Sequence, residues 1–332
     1  MKNIKITDIR GIKIGHAQNF DGPTGCTVIL CERGAVAGVD VRGGAPGTRE
    51  TDLLNPLNMM EKIQAILLTG GSAFGLDAAS GVMKYLEEKG FGFDVGVTKV
   101  PIVCGAALFD LVVGDHTIRP DKDMGYEACL NATSGEVLEG SVGAGTGATV
   151  GKVLGREYAM KGGLGTYAVQ EGDLMVGAIV AVNCLGDVID SKTGDVVAGV
   201  LNEDKFGFRN TEQIMISKYS DNKNAFNGNT TIGAIVTNAR LTKAEINKVA
   251  SMAHNGYARS IYPVHTMYDG DTIFSMATGE VSADVNVVGL LAARVMEKAI
   301  VNGVKKAKSM CGYKSYGEMD KRKYFKNITI KE

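Results

Sequence analysis

The sequence contains no tryptophan, only six prolines and only four histidines. The histidines, at positions 16, 116, 254 and 265, are too dispersed for a metal centre. Six cysteines sit at positions 26, 31, 104, 129, 184 and 311, and none forms a Cys-x-x-Cys pair or a Cys/His cluster with zinc spacing. Most lie in apolar runs and read as buried thiols. Neither sign of charge is in excess, since 36 Lys and Arg oppose 37 Asp and Glu for a net charge of −1. That balance leaves no footprint for DNA, RNA or anionic lipid, so no nucleic-acid or membrane partner is expected. The scattered Lys305, Lys306 and Lys308 read as a solvated helix end. No apolar run reaches membrane-spanning length, and the opening MKNIKITDIRGIKIGHA lacks the charged-then-apolar order of a signal peptide. A cytoplasmic protein is therefore expected. There is no GxSxG nucleophile elbow and no Walker motif. GAGTGA (143–148) meets the loose GxGxxG/A pattern, but no good strand precedes it and no clear acidic partner follows. Its glycines read as tight packing.

What is present is an ordinary globular composition, 45% hydrophobic and 22% charged, with an unusual 44 glycines among 332 residues. Glycine permits positive φ and close backbone approach, so many tight turns or crowded backbones are expected. Short apolar runs alternate with helical patterns, which points to mixed α and β. Cys26–Cys31, Ala35–Val41, Ala65–Thr69, Met175–Asn183 and Ile232–Thr237 read as strands. Helices are expected over Leu53–Ile63, from about Gly75 to Lys89 with Gly90 as C-terminal cap, and from a Thr242/Glu245 capping box to about Asn255. A long helical pattern runs over Val281–Lys308, with Ser282 as a candidate cap.

One stretch breaks the rhythm. Residues 202–229 are mostly polar and end abruptly in Thr230-Thr231 and the apolar run TIGAIVT. A polar loop feeding a buried strand suits a processing site, although on local sequence alone a plain loop-to-strand junction is the favoured reading. The chemistry of a cut there is specific. An internal Thr hydroxyl has nothing nearby to take its proton. At a chain terminus its own α-amine, with a pKa near ~8 in models, serves as the base. The cut can be autocatalytic: the hydroxyl attacks the preceding carbonyl, and water releases the ester.

Seven segments together resemble the L-aminopeptidase/D-esterase family, which includes the beta-peptidyl aminopeptidases and the nylon-oligomer (6-aminohexanoate-oligomer) endo-hydrolases. They are DVRGGAPGTRETDLL (40–54), LLTGGSAFGLDAASGVM (67–83), VGAGTGATVGK (142–152), GGLGTYAV (162–169), VGAIVAVNCLGDV (176–188), NTTIGAIVTNARLTK (229–243) and PVHTMYDGDTIFSMATG (263–279). They follow the family's order and span most of the chain.

The resemblance implies a four-layer αββα sandwich of the N-terminal-nucleophile kind. It implies self-cleavage between Asn229 and Thr230 into a large subunit (1–229) and a small one (230–332) of a single domain. It implies Thr230 as nucleophile and Asn183, at the end of a long apolar strand, as oxyanion donor, a role worth on the order of 3 kcal/mol of barrier. Asp269 and Asp271, two apart in YDGD, would orient the terminal ammonium. Two aspartates here, in place of a Ser/Glu pair, lean to the nylon-oligomer branch. Lys152, ending GATVGK, matches a lysine of that branch's site. The family's active-site Tyr after PIV is replaced by Phe109, which cannot donate a hydrogen bond. His265 lies close in sequence to the acidic pair. The expected activity is an amide hydrolase acting through an acyl-enzyme ester, without metal or organic cofactor, as a homo-oligomer, typically a tetramer of cleaved heterodimers. The alternatives are an acyltransferase of the ornithine-acetyltransferase type and a non-catalytic relative that binds a small molecule.

Overall fold

A computed structural model describes residues 1–219 and 228–319. Ten strands join in one hydrogen-bonded sheet: β1 (Lys2–Ile4), β2 (Lys13–Asn19), β3 (Thr24–Val41), β4 (Gly47–Arg49), β5 (Lys62–Thr69), β6 (Val103–Ala107), β7 (Gly163–Glu171), β8 (Leu174–Val182), β9 (Ile232–Arg240) and β10 (Thr272–Ser282). The order is β1-β7-β8-β9-β10-β3-β5-β6-β4, with β2 paired to β3. Among the described residues five α-helices accompany it: α1 (Ala78–Glu88), α2 (Lys122–Leu130), α3 (Thr211–Ser217), α4 (Lys243–Ser260) and α5 (Val285–Lys306).

The long strand β3 belongs to both halves of this sheet. Its first half pairs with β2 and β5, and its second half pairs with β10. Between them the register against β5 shifts, beside Gly34 at φ +80°. The two halves then face each other. Ile29, Ile66, Leu68 and Ala106 pack in one buried cluster with Leu164, Ile179, Ile232 and Phe274. On the outer faces, α4 and α5 cover Ala178, Val180 and Ile235, while α1 and α2 cover Val28, Leu30, Leu67 and Val103. The result is the expected αββα sandwich. It explains why β8 is apolar throughout and β9 is apolar from Ile232 to Val236. Alternate residues of β8 enter different cores, Ile179 and Ala181 inward, Ala178 and Val180 toward the helices, so neither face can be polar.

Local chemistry sets the ends. Thr242 and Glu245 form the expected capping box, and α4 runs on to Ser260. Two expected helices differ. Leu53–Ile63 contains only a short 3-10 turn, Asp52–Leu54, before β5. Pro56 explains this, because it lacks an N–H and pushes the residue before it out of the helical region. The last helix starts at Val285 with Asp284 as cap; Val281 and Ser282 still pair with Ala239 and Arg240 in the sheet. Five of the six cysteines are buried, and Cys311 is exposed.

Candidate active site

Strand β9 runs parallel to β10 and antiparallel to β8. The end of β8 and the starts of β9 and β10 therefore meet at one end of these adjacent strands. Asn183 follows β8, Thr230 precedes β9, and Asp269-Gly270-Asp271 precedes β10. Topology alone brings these residues together.

Thr230 is buried, and its N–H donates to the Asn183 carbonyl at 2.9 Å. Its hydroxyl donates to the carbonyl of Asn229, the peptide preceding it. The same carbonyl accepts the N–H of Gly270 at 3.2 Å. Asn229 and Asp269 form a short parallel bridge that holds this segment against the acidic turn. Gly270 has to be small: a Cβ there would stand 2.8 Å from Thr230 Oγ1.

Four further polar side chains surround this peptide, all at most 3% exposed: Lys152, Asn183, Asp269 and Asp271. Lys152 Nζ donates to Asn183 O at 3.0 Å, Asn183 Oδ1 at 2.9 Å and Gly228 O at 3.0 Å. Burial pulls its pKa down to about 8. Asp269 accepts from Thr266 Oγ1 at 2.5 Å and from Leu185 N at 3.3 Å. Burial first, and the neighbouring Asp271 second, push its carboxyl up to about 7. Asp271 Oδ1 accepts the N–H of Thr231 at 2.9 Å, and Oδ2 accepts both the N–H and ring Nδ1 of His265, at 3.0 and 2.9 Å. Two groups with proton affinities near neutrality thus lie in the surroundings of the Asn229–Thr230 peptide, whose carbonyl accepts the Thr230 hydroxyl.

Asn183 and Phe109 sit here in arrangements the sequence does not disclose. Asn183 Oδ1 accepts from Thr149 N and Lys152, so Nδ2 is the donor, and it is spent on Phe109 O at 3.1 Å. In the intact chain the amide therefore does not point at the Asn229 carbonyl; Gly270 N–H fills that role. Phe109 contributes its carbonyl to Asn183, and its ring lies against Gly228 so closely that a Cβ there would be 1.9 Å from the ring. Gly228 has φ +57° and no side chain to obstruct the contact.

A buried support was also missed. Lys161 Nζ donates at 2.7 Å to both Thr146 O and Ala148 O, which fixes the glycine-rich turn that carries Thr149. Asp110 accepts from Thr24 Oγ1 and Gly71 N, both at 2.7 Å. Lys161 reads in sequence as one more lysine between apolar segments, so nothing marks it. GAGTGA is close packing: a Cβ on Gly145 would lie 2.2 Å from Leu164 N. Among the described residues, no group of three or more His, Cys, Asp or Glu is placed to hold a metal ion.

The αββα sandwich is of the N-terminal-nucleophile hydrolase kind, and the chain is an amide hydrolase. The chain belongs to peptidase family S58, whose profile matches residues 4–317. It is 42% identical over 344 aligned positions to an uncharacterized aminopeptidase of Mycobacterium tuberculosis, covering 95% of this chain and 97% of that one. It is 32% identical over 317 positions to the 6-aminohexanoate-oligomer endohydrolase of Kocuria sp., covering 90% and 85%. The fold matches the L-aminopeptidase D-Ala-esterase/amidase of Ochrobactrum anthropi with a TM-score of 0.69 at 19% identity, covering 92% and 87%. Among the described residues, no helix is long and apolar enough to cross a membrane.

Proposed function

We propose that the chain cuts itself between Asn229 and Thr230, and that Thr230 then hydrolyses short amides. The substrate class is a short peptide, a β-peptide, an amino-acid amide or an aminohexanoate oligomer. The observation that carries this reading is the Asn229–Thr230 peptide: its carbonyl accepts both the Thr230 hydroxyl and the Gly270 N–H inside a buried ring of Lys and Asp.

In the first step Thr230 Oγ1 bonds to the Asn229 carbonyl carbon, and Gly270 N–H holds the developing oxyanion. The C–N bond then breaks, the nitrogen takes a proton, and an ester with a free α-amine remains. Water cleaves the ester, releasing the Asn229 carboxylate and restoring the hydroxyl. In turnover the α-amine takes the hydroxyl's proton and later returns one to the leaving amine. Asn183 serves the substrate oxyanion once its amide gives up the Phe109 carbonyl. Lys152, Asp269 and Asp271 fix the amine and its charge. The same reading carries a cytoplasmic enzyme assembled as a tetramer of cut heterodimers, with residues 1–229 and 230–332 as its two chains.

The test is intact mass under denaturing conditions. Wild type is expected as two fragments, ending at Asn229 and beginning at Thr230. Thr230→Ala is expected as one full-length chain, with amidase activity lower by at least about 10³-fold. A wild type that stays whole after long incubation across pH overturns the reading.

A further inference from the structure

His265 is not part of the ring described above, yet it is the residue on which Asp271 is mounted. Its backbone N–H and its ring Nδ1 both donate to one oxygen, Asp271 Oδ2, at 3.0 and 2.9 Å. That leaves Oδ1 for the N–H of Thr231, the amide immediately after the nucleophile. Because a carboxylate only accepts, Nδ1 carries the hydrogen.

Presenting both donors to one oxygen goes with an uncommon backbone. His265 has φ +58°, the left-handed region, which most side chains disfavour. Such a conformation persists where the surroundings over-determine it, and such sites cluster where function needs them. The surroundings here are on α4. The His265 ring lies edge-on to His254, with centroids 4.7 Å apart, and is stacked on Tyr257 at 6.1 Å with 28° between planes. His254 is itself anchored, since its Nε2–H donates to Asp40 O at 3.0 Å. Burial pulls the His254 pKa down to about 4, so it stands neutral beside His265. The next residue, Thr266, holds the other aspartate through Oγ1 to Asp269 Oδ2.

A continuous path therefore leads from the helix layer to the reacting peptide: His254 and Tyr257 on α4, then the His265 ring, then Asp271, then the Thr231 amide. We propose that His265 is a positioning residue of the active centre, holding Asp271 in the one orientation that fixes the Thr231 amide and with it the Thr230 hydroxyl. This rests on the reading of Thr230 as nucleophile. Its effect belongs on kcat: a misplaced nucleophile loses rate on the order of 10²-fold while the substrate pocket is untouched.

The deciding pair is His265→Asn against His265→Asp. The two replacements are isosteric, and both tolerate left-handed φ. Only Asn offers an N–H to the carboxylate. His265→Ala is the third variant. Each is brought to full cleavage, verified by intact mass, and assayed for kcat and KM on a chromogenic amino-acid anilide. The expected result is a kcat loss of 10-fold to 100-fold in the Ala and Asp variants with KM within about threefold, and at least a fivefold recovery in the Asn variant. Equal kcat in the Asn and Asp variants overturns the proposal, as does an Ala variant within twofold of wild type. A wild type that neither cleaves nor turns over defeats the Thr230 reading instead, so the two failures are distinct.

Discussion

Asp269 shows what burial does to one side chain, and it gives a stability test. Its carboxyl is held near 7, above the 3.8 of an exposed aspartate, so the folded chain binds this proton more tightly than the unfolded one. The stability this contributes is fully present below about pH 4 and is lost as pH rises through about 7. An Asn at 269 has no such proton. In a Thr230→Ala background, which removes cleavage as a variable, Asp269→Asn should gain Tm relative to its parent as pH rises from 4 to 7. A Tm difference that is flat across that window contradicts the burial argument. At this scale the sequence was informative only through whole segments. Thr230, Asn183, Lys152, Asp269 and Asp271 do converge, and the resemblance placed all five. Lys161, Asp110 and the Gly270 N–H were not legible, because a buried lysine and a backbone amide carry no sequence signal. The direction of the Asn183 amide depends on Lys152 and Thr149, both more than thirty positions away.

Elements were legible where local chemistry decides them. The Thr242/Glu245 box and the apolar runs of β8 and β9 rest on neighbours in sequence, and they stand as read. Elements were misread where a distant partner or one residue overrides the pattern. Pro56 breaks an apparent helix, and pairing with β9 carries β10 through Ser282. The strand β3 reads as two strands because Glu32–Gly34 interrupts its pattern, yet both halves are one continuous ribbon. Helix crossing gives a prediction of the same kind. Gly81 of α1 and Gly125 of α2 face the opposite helix so closely that a Cβ would stand 1.8 Å from Lys122 O and 1.9 Å from Ala78 O, respectively. By helix propensity alone, Gly81→Ala should stabilise by about 1 kcal/mol. Overpacking against a backbone carbonyl outweighs that gain, so the variant should lose about 1–3 kcal/mol in urea unfolding. A rise in the urea midpoint would show that α1 and α2 can separate at no cost.

At the scale of the whole molecule, the layer order was legible because seven segments together resemble one family, and no single run would have sufficed. The cut proposed at Asn229–Thr230 divides the chain but not the sheet. β9 and β10 follow the cut, and they lie between β8 and β3, which precede it. Each fragment therefore supplies the hydrogen-bonding neighbours of the other, and α4 and α5 close the core over strands from both. The two fragments should co-elute on gel filtration after complete cleavage and unfold in one transition. Free small fragment at neutral pH without denaturant would contradict that expectation.

The Thr230 amide, bonded to Asn183 O with sheet on both sides, has a further consequence. On the proposed mechanism the catalytic amine does not exist until β8, β9 and β10 have closed around the scissile peptide. A nascent or misfolded chain has no reactive terminus and is harmless to other amides in its surroundings. Activation then works as proofreading: the number of active centres counts the chains that folded correctly, and no separate protease is required to inspect them.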